Sequence, residues 1–305
     1  MIAIKRISPA LIILSGVLWG TMGIFVRRLN EMGIHSMEIV AFRAFGTSVA
    51  MLIFLSFYNR KLLKIKWKDM WCFCGTGLFS ILFFNFCYFK TITLTSLSVA
   101  AVLLYTAPMI VMLLSVILFG EKFTVAKAIS MLFAFGGCVL VSGITGSRPQ
   151  VGLLGFCTGL GAGLGYALYS IFSRFALDRG YHPLSIMIYT FITAGIFVIP
   201  LADFHTLKEA AVHEDGFLLL AILFTLITTI LPYICYTIGL SCVEAGSASI
   251  MASVEPVVAS LIGIFLFHEK ITAAGVSGIA LVVASIIILN VSGKKKAYDT
   301  KAELY

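Results

Sequence analysis

Glu255 is the only charged residue between positions 245 and 267, and a proline follows it in VEPVVAS. A carboxylate so deep in an apolar segment is costly unless it is solvated, paired or protonated. It can ligate a cation or amine, carry a proton, or make a structural polar contact between helices. Pro256 adds polarity by removing a backbone hydrogen bond one turn back and exposing a carbonyl. Arg43 stands in a second apolar run, 37–59. It can bind a substrate carboxylate, pair with Glu255, or snorkel outward. Trp19, Tyr88, Tyr105, Tyr166, Tyr169, Tyr233 and Tyr236, with Asn85, supply large amphipathic side chains in other apolar runs. A mid-membrane tyrosine needs a partner for its hydroxyl. Lining a wet cavity suited to amphipathic organic molecules is one solution, and bonding a neighbouring helix is the other. Pro108, Pro232 and Pro256 fall inside apolar segments, where proline kinks or breaks a helix and makes either a hinge or a permanent widening.

Catalytic and cofactor patterns are missing. The five histidines lie in or near loops without metal-ligand spacing, and HExxH, GxSxG, a Walker A loop and paired catalytic carboxylates do not occur. The run GLGAGLG has the wrong glycine phase for a nucleotide fingerprint, and no strand precedes it. Gly155, Gly159, Gly161, Gly163 and Gly165 instead form small-xxx-small patterns that let helices approach closely, echoed by Gly16 and Gly20. The seven cysteines contain no Cys-x-x-Cys pair and read as small apolar residues. The expectation is a protein without metal or cofactor, and not an enzyme. With no ATP-binding module, active transport would use an ion gradient or a separate partner.

These residues must be positioned by helices in lipid. The 305-residue chain is 60% hydrophobic and 12% charged, with a mean hydropathy of +1.04. A soluble domain carries about 25% charged residues, so the composition excludes a soluble enzyme, a disordered chain and a fibrous repeat. Residues 7–26, 70–89, 91–120, 128–147, 149–173, 180–202, 216–243 and 271–293 hold no Asp, Glu, Lys or Arg. Each run is near or above the ~18 residues needed to span a bilayer. With the two runs around Arg43 and Glu255, they predict ten transmembrane helices: 8–29, 36–58, 69–90, 95–119, 124–144, 151–174, 183–202, 215–240, 245–267 and 272–292. Pro9 and Pro183 suit first helical turns, and Thr124 and Thr272 suit N-caps. The first run, flanked by Lys5-Arg6 and Arg27-Arg28, lacks a small-residue cleavage site and reads as an uncleaved helix.

Of the 22 Lys and Arg residues, fifteen fall on the side of the N-terminus and six on the other, with Arg43 inside a helix. By the positive-inside rule both termini are cytoplasmic and the 203–215 loop is external. The net charge of +8 expresses this bias, with attraction to anionic lipid, and does not point to nucleic acid.

The sequence also repeats. LFGEKFTVA at 118–126 and LFHEKITAA at 266–274 share six of nine residues at an offset of 148. The same offset relates Pro108 to Pro256, Tyr88 to Tyr236 and Ala100 to Ala248, and 147 relates Trp19 to Tyr166, Arg27 to Arg174, Gly33 to Gly180 and His35 to His182. The units are 8–144 and 151–292, followed by a basic cytoplasmic tail, 293–305. Each holds five helices. An odd number sends the second unit through the membrane in the opposite sense, and such inverted repeats are characteristic of secondary transporters. Glu121 and Glu269, beside Lys122 and Lys270, read as pairing or capping groups at helix ends.

The paired blocks YTAPMIVMLLSVILFGEK and VEPVVASLIGIFLFHEK, the opening GVLWGTMGIFVRR and the arginine in AFRAF resemble the EamA domains of the drug/metabolite transporter superfamily. The resemblance covers residues 8–292. It implies a ten-helix transporter, often an exporter, of amino acids, metabolites or drugs. The first copy has Ala107 before its proline where many members have Glu, which argues against a symmetric two-glutamate mechanism. The expected function is a secondary transporter or facilitator of a small organic solute across a bacterial-type plasma membrane. It would work by alternating access at a midplane cavity, with protons coupled through Glu255 where transport is driven. The alternatives are a non-transporting sensor or subunit, and a membrane enzyme acting on lipid.

Overall fold

A chain in lipid must satisfy its backbone polar groups internally, and a helix does so within one segment. The computed structural model describes residues 2–142, 152–268 and 272–302, and among them no strand occurs. The helices are α1 (Ile2–Gly20), α2 (Met22–Glu31), α3 (Ser36–Tyr58), α4 (Met70–Cys74), α5 (Phe83–Leu94), α6 (Leu97–Leu104), α7 (Ala107–Phe119) and α8 (Val125–Val141). They continue with α9 (Leu153–Asp178), α10 (Pro183–Val198), α11 (Phe204–His213), α12 (Phe217–Thr225), α13 (Leu231–Leu240), α14 (Ala245–Ala252), α15 (Glu255–Phe267) and α16 (Ala273–Ala302). Wider π-helical turns, Gly75–Leu82 and Leu226–Ile230, join α4 to α5 and α12 to α13. Among the described residues, eight helical stretches are long and apolar enough to cross a membrane, and Val125–Val141 and Pro183–Val198 are shorter apolar helices.

Element boundaries recur at the offset seen in the sequence. Leu97, Leu104, Ala107 and Phe119 bound α6 and α7, and 148 residues on, Ala245, Ala252, Glu255 and Phe267 bound α14 and α15. Each pair ends on a left-handed residue, Gly120 (φ 63°) and His268 (φ 54°). Such a C-terminal residue is a common helix stop. The π-helical turns are followed by α5 from Phe83 and α13 from Leu231, again 148 apart. Packing repeats too: α1 lies on α13 and on the α14–α15 junction, as α9 lies on α5 and on the α6–α7 junction, while α8 pairs along α16.

Several expectations need correction. Pro108 and Pro256 do not sit inside continuous helices: each occupies the first turn of one, α7 and α15, after a break at Tyr105–Thr106 and Ser253–Val254, because proline lacks the N–H that a helix interior needs. Glu255 therefore heads a helix rather than lying ten residues into one. Pro232 does lie within a continuous helical stretch, Phe217–Leu240, just after its π-helical turn. Pro9, expected in a first turn, is inside α1, which begins at Ile2. The first span is likewise interrupted at Thr21, whose hydroxyl donates to the Leu18 carbonyl (2.7 Å). The expected 203–215 loop contains a helix, α11, capped by Asp203, which accepts from the His205 N–H (2.9 Å) and the Thr206 hydroxyl (2.8 Å). The Thr206 bond and the His205 N–H hold the Asp203 carboxyl below its ordinary range. Thr124 and Thr272 cap as expected, accepting from Lys127 N–H and Gly275 N–H. The unit junction 145–150, Glu269 and Lys270 lie outside the described residues.

Candidate functional site

The α14–α15 break builds the centre of the site. Pro256 has no N–H for the Ala252 carbonyl, and α15 starts instead with the Val258 N–H donating to the Val254 carbonyl (3.1 Å). Two glycines of α1 make room for this break. A Cβ on Gly16 would stand 2.7 Å from the Ala252 oxygen, and one on Gly20 would stand 2.8 Å from the Glu255 oxygen. On the other unit, Gly163 of α9 meets the α6–α7 break in the same way, 3.0 Å from the Leu103 oxygen. The glycine stripe of α9 is thus close packing: Gly155 and Gly159 face Thr95 and Leu103, and Gly165 faces the backbone of Phe84.

Glu255 Oε2 accepts a hydrogen bond from the Tyr166 hydroxyl (3.0 Å). Its position at the head of α15 also sets it at the positive end of that helix dipole. Tyr105 and Pro108 of the first unit and Tyr166, Ser249, Ser253 and Glu255 of the second line a cavity of about 10 Å³. On the other side of Tyr166, a second cavity of about 20 Å³ is bounded by Trp19, Ser80, Phe84, Tyr169, Tyr233 and Tyr236. Each volume is roughly that of a single water, so an organic solute can be seated only when the helices part.

Rings wall the second cavity. Trp19 stands edge-on to Tyr166 (centroids 6.3 Å apart, planes at 68°) and to Tyr233 (5.3 Å, 76°), and tilts against Tyr236 (5.5 Å). Such arrangements add about 0.5–1.5 kcal/mol per pair beyond burial. Two phenols are already satisfied: Tyr169 shares a hydrogen bond with Thr237 (2.8 Å) and Tyr236 with Ser170 (2.7 Å).

Arg43, Asn85 and Tyr88 line neither cavity. Arg43 is buried at 8% exposure, donates from Nε to the Thr229 hydroxyl (2.8 Å) and lies 5.3 Å from the centroid of the Phe224 ring. Pairing with Glu255 is not formed. Asn85 donates to the Ile81 carbonyl one turn back (2.7 Å), which satisfies a backbone acceptor beside the π-helical turn. Tyr88 stacks at a tilt on Phe84 (5.7 Å). Glu255, Tyr105 and Tyr166 thus meet at the first cavity, and Trp19, Tyr166 and Tyr236 at the second.

The pattern of the EamA-like transporter family matches residues 6–143 and again 153–291. The chain belongs to that family. It is 28% identical over 284 residues to an uncharacterized transporter of Archaeoglobus fulgidus, covering 93% of this chain and 96% of that one. It is 27% identical over 303 residues to the uncharacterized transporter YxxF of Bacillus subtilis, covering 98% and 95%. A protein of known crystal structure has the same fold, with a TM-score of 0.76 at 15% identity, over 94% of this chain and 98% of that one. The protein is a multi-pass membrane transporter.

A charged cluster joins the end of α7 and the start of α8 to the head of α14. Glu244, the residue preceding α14, makes no side-chain cap of its own. Its carboxylate instead meets Lys127 Nζ at 2.6 Å, an ion pair without hydrogen-bond alignment. The orphan N–H groups at the head of α14 are taken by Glu121 from the other unit, Oε1 accepting from Ala245 (2.7 Å) and Oε2 from Gly246 (3.3 Å). Lys127 stands 3.7 Å from Glu121, and both side chains are less than a tenth exposed. The tie presses α14 onto α7, while the equivalent pair, α6 and α15, has no packing of that extent.

Sequence reasoning missed the small polar lining, Ser80, Ser170, Ser249 and Ser253. Ser249 and Ser253 are four apart and thus share a helix face leading into Glu255; that spacing was the available signal. Ser80 and Phe84 carried none, because a π-helical turn shifts which residues face inward.

Proposed function

We propose that the chain is a secondary transporter that carries a small organic solute, in the export direction, across a bacterial-type plasma membrane by alternating access. In this reading the two shorter apolar helices also span, giving ten spans. Residues 8–144 and 151–292 are inverted five-helix units, both termini are cytoplasmic, and the tail 293–305 lies inside. The observation that carries the reading is that both cavities are bounded by side chains from both units and that two helix breaks, Tyr105–Thr106 and Ser253–Val254, meet at the first. Broken helices at the interface of inverted repeats are where transporters bind solute and coupling ion. The unequal packing of α14 on α7 and of α6 on α15 supports a state closed on one face only. Exchanging the two arrangements would close the other.

Glu255 and the aromatic walls are then the substrate site, Pro108, Pro232 and Pro256 mark where helices bend, and Glu255 is the group through which a proton couples. The test is flux in reconstituted vesicles, with a metabolite panel offered with and without a pH gradient. Saturable flux of one solute class is expected, and Glu255→Gln abolishes uphill movement. Wild-type rates with a preserved pH response in Glu255→Gln would sink the assignment.

A further inference from the structure

The geometry points to an organic cation as the cargo: an amine whose ammonium pairs with Glu255 and whose apolar body lies against the rings of Trp19, Tyr166, Tyr233 and Tyr236. This rests on the reading that the two cavities form the transport site.

The first argument is the sign of the charge. Among the described residues the only hydrogen-bond partner of Glu255 is the neutral Tyr166 phenol, which engages one carboxylate oxygen. An unpaired carboxylate at membrane depth is expensive, and the dipole of α15 offsets part of that cost. A cation arriving with the solute offsets the rest. The second argument is where the positive charge is not. Arg43 is committed to Thr229 and to the Phe224 ring and borders neither cavity. A carboxylate- or phosphate-bearing solute would therefore meet an acid at Glu255, while the Arg43 guanidinium, near the Tyr233 wall, is already engaged elsewhere.

The third argument is continuity. Tyr166 borders both cavities, so a molecule with its charge at Glu255 extends directly into the ring-walled space. Ring faces attract ammonium groups, and Trp19 stands edge-on to Tyr166 and Tyr233, so several faces are presented in different directions. The fourth is the commitment of two wall phenols. The hydroxyls of Tyr169 and Tyr236 are bonded to Thr237 and Ser170 and leave ring surface as their contribution. Recognition at these rings is then by charge and apolar body.

Three probes of nearly equal shape separate the possibilities: phenethylamine (+1), 2-phenylethanol (0) and 3-phenylpropionate (−1). The full chain in lipid nanodiscs, with Trp67 and Trp71 replaced by Phe, reports binding through Trp19 fluorescence. The amine should bind at least about tenfold more tightly than the alcohol, with the carboxylate weakest. Glu255→Gln should reduce the amine to the level of the alcohol, and Tyr166→Phe, which keeps the ring, should preserve the ranking. If the alcohol equals the amine, or the carboxylate binds best, and Glu255→Gln still alters binding, the cation class falls while the transport site stands. If Glu255→Gln changes no probe, or none binds to the wild type, both fall. Where the glutamine variant does not fold, the ranking of the three probes on the wild type decides.

Discussion

Replacing Gly16 by alanine tests whether the α14–α15 break is held by the close approach of α1. A Cβ at Gly16 would lie 2.6 Å from Val254 Cγ1 and 2.7 Å from the Ala252 oxygen. Ordinary carbon–carbon contact is about 3.5–4.0 Å and carbon–oxygen contact about 3.3 Å. The overlaps are thus roughly 0.9 and 0.6 Å. The valine methyl can rotate away. The Ala252 carbonyl is backbone, freed by Pro256, and cannot, so α1 must move by about half an ångström. Overpacking of this kind costs about 1–3 kcal/mol. Trp19, three residues along α1, travels with the shift and distorts the ring-walled cavity. The control is Gly136→Ala on α8, where a Cβ meets nothing within 4 Å; it should be neutral or stabilising by up to about 1 kcal/mol. Thermal unfolding in detergent, followed by size-exclusion chromatography, and flux in vesicles read both effects. A Gly16→Ala protein that unfolds and transports like the wild type, or one no worse than Gly136→Ala, would refute the close-approach argument.

Lys127→Met should destabilise the protein by about 3 kcal/mol by leaving Glu121 buried without its cation, and Glu121→Gln added to it should recover part of that loss; thermal unfolding of the single and double variants checks the tie. Thr229→Val should cost about 1.5–3 kcal/mol because it strands the buried Arg43 Nε, and Thr229→Ser should restore it, by the same measurement. Single cysteines at Lys64 and Glu209, in a chain otherwise free of cysteine, should react with an impermeant thiol reagent from the cytoplasmic and external sides respectively; the reverse pattern would overturn the proposed orientation.

Much of the frame was legible because lipid makes a simple demand. Runs without charge had to become helices, and the offset of 148 relating Pro108 to Pro256 returned as equal bounds of α6–α7 and α14–α15. Within the site, the chemistry of Glu255 and the aromatics could be named from residue type, and the repeat singled out Trp19 and Tyr166. Their contacts could not. Whether Arg43 meets Glu255 or Thr229 depends on how helices far apart in sequence pack, and composition is silent on that. Proline type alone leaves kink and break open: before Pro108 and Pro256 the missing N–H ends one helix and heads another, whereas Pro232 is carried within a continuous stretch. The break before Pro256 puts Glu255 at the positive end of a helix instead of in the middle of one.

The two units share positions more than they share chemistry, and the differences gather where function is expected. Arg43 of α3 corresponds to Thr190 of α10, at the offset of 147 that relates His35 to His182. Thr190 bonds Thr76 (2.6 Å), and the residue 148 beyond Thr76 is Phe224, the ring beneath Arg43. The two equivalent contacts between the units thus hold a pair of hydroxyls in one place and a guanidinium on a ring in the other. Ala107 likewise heads α7 where Glu255 heads α15, and Ser96 caps α6 through its own hydroxyl where Glu244 leaves its cap to Glu121 and turns to Lys127. A backbone that repeats can exchange two conformations of similar energy. Side chains that do not repeat make those conformations unequal, placing the negative charge on one helix head and the ion-pair tie on one face. If that division is right, restoring the repeat at the tie, with Glu244→Ser and Lys127→Gly together, should make α14 as loosely held as α6 while leaving the Tyr166–Glu255 bond in place. Raised accessibility of Cys242 to thiol reagents, with the amine-over-alcohol ranking intact, is the expected result; loss of the ranking would show that tie and site are not separable.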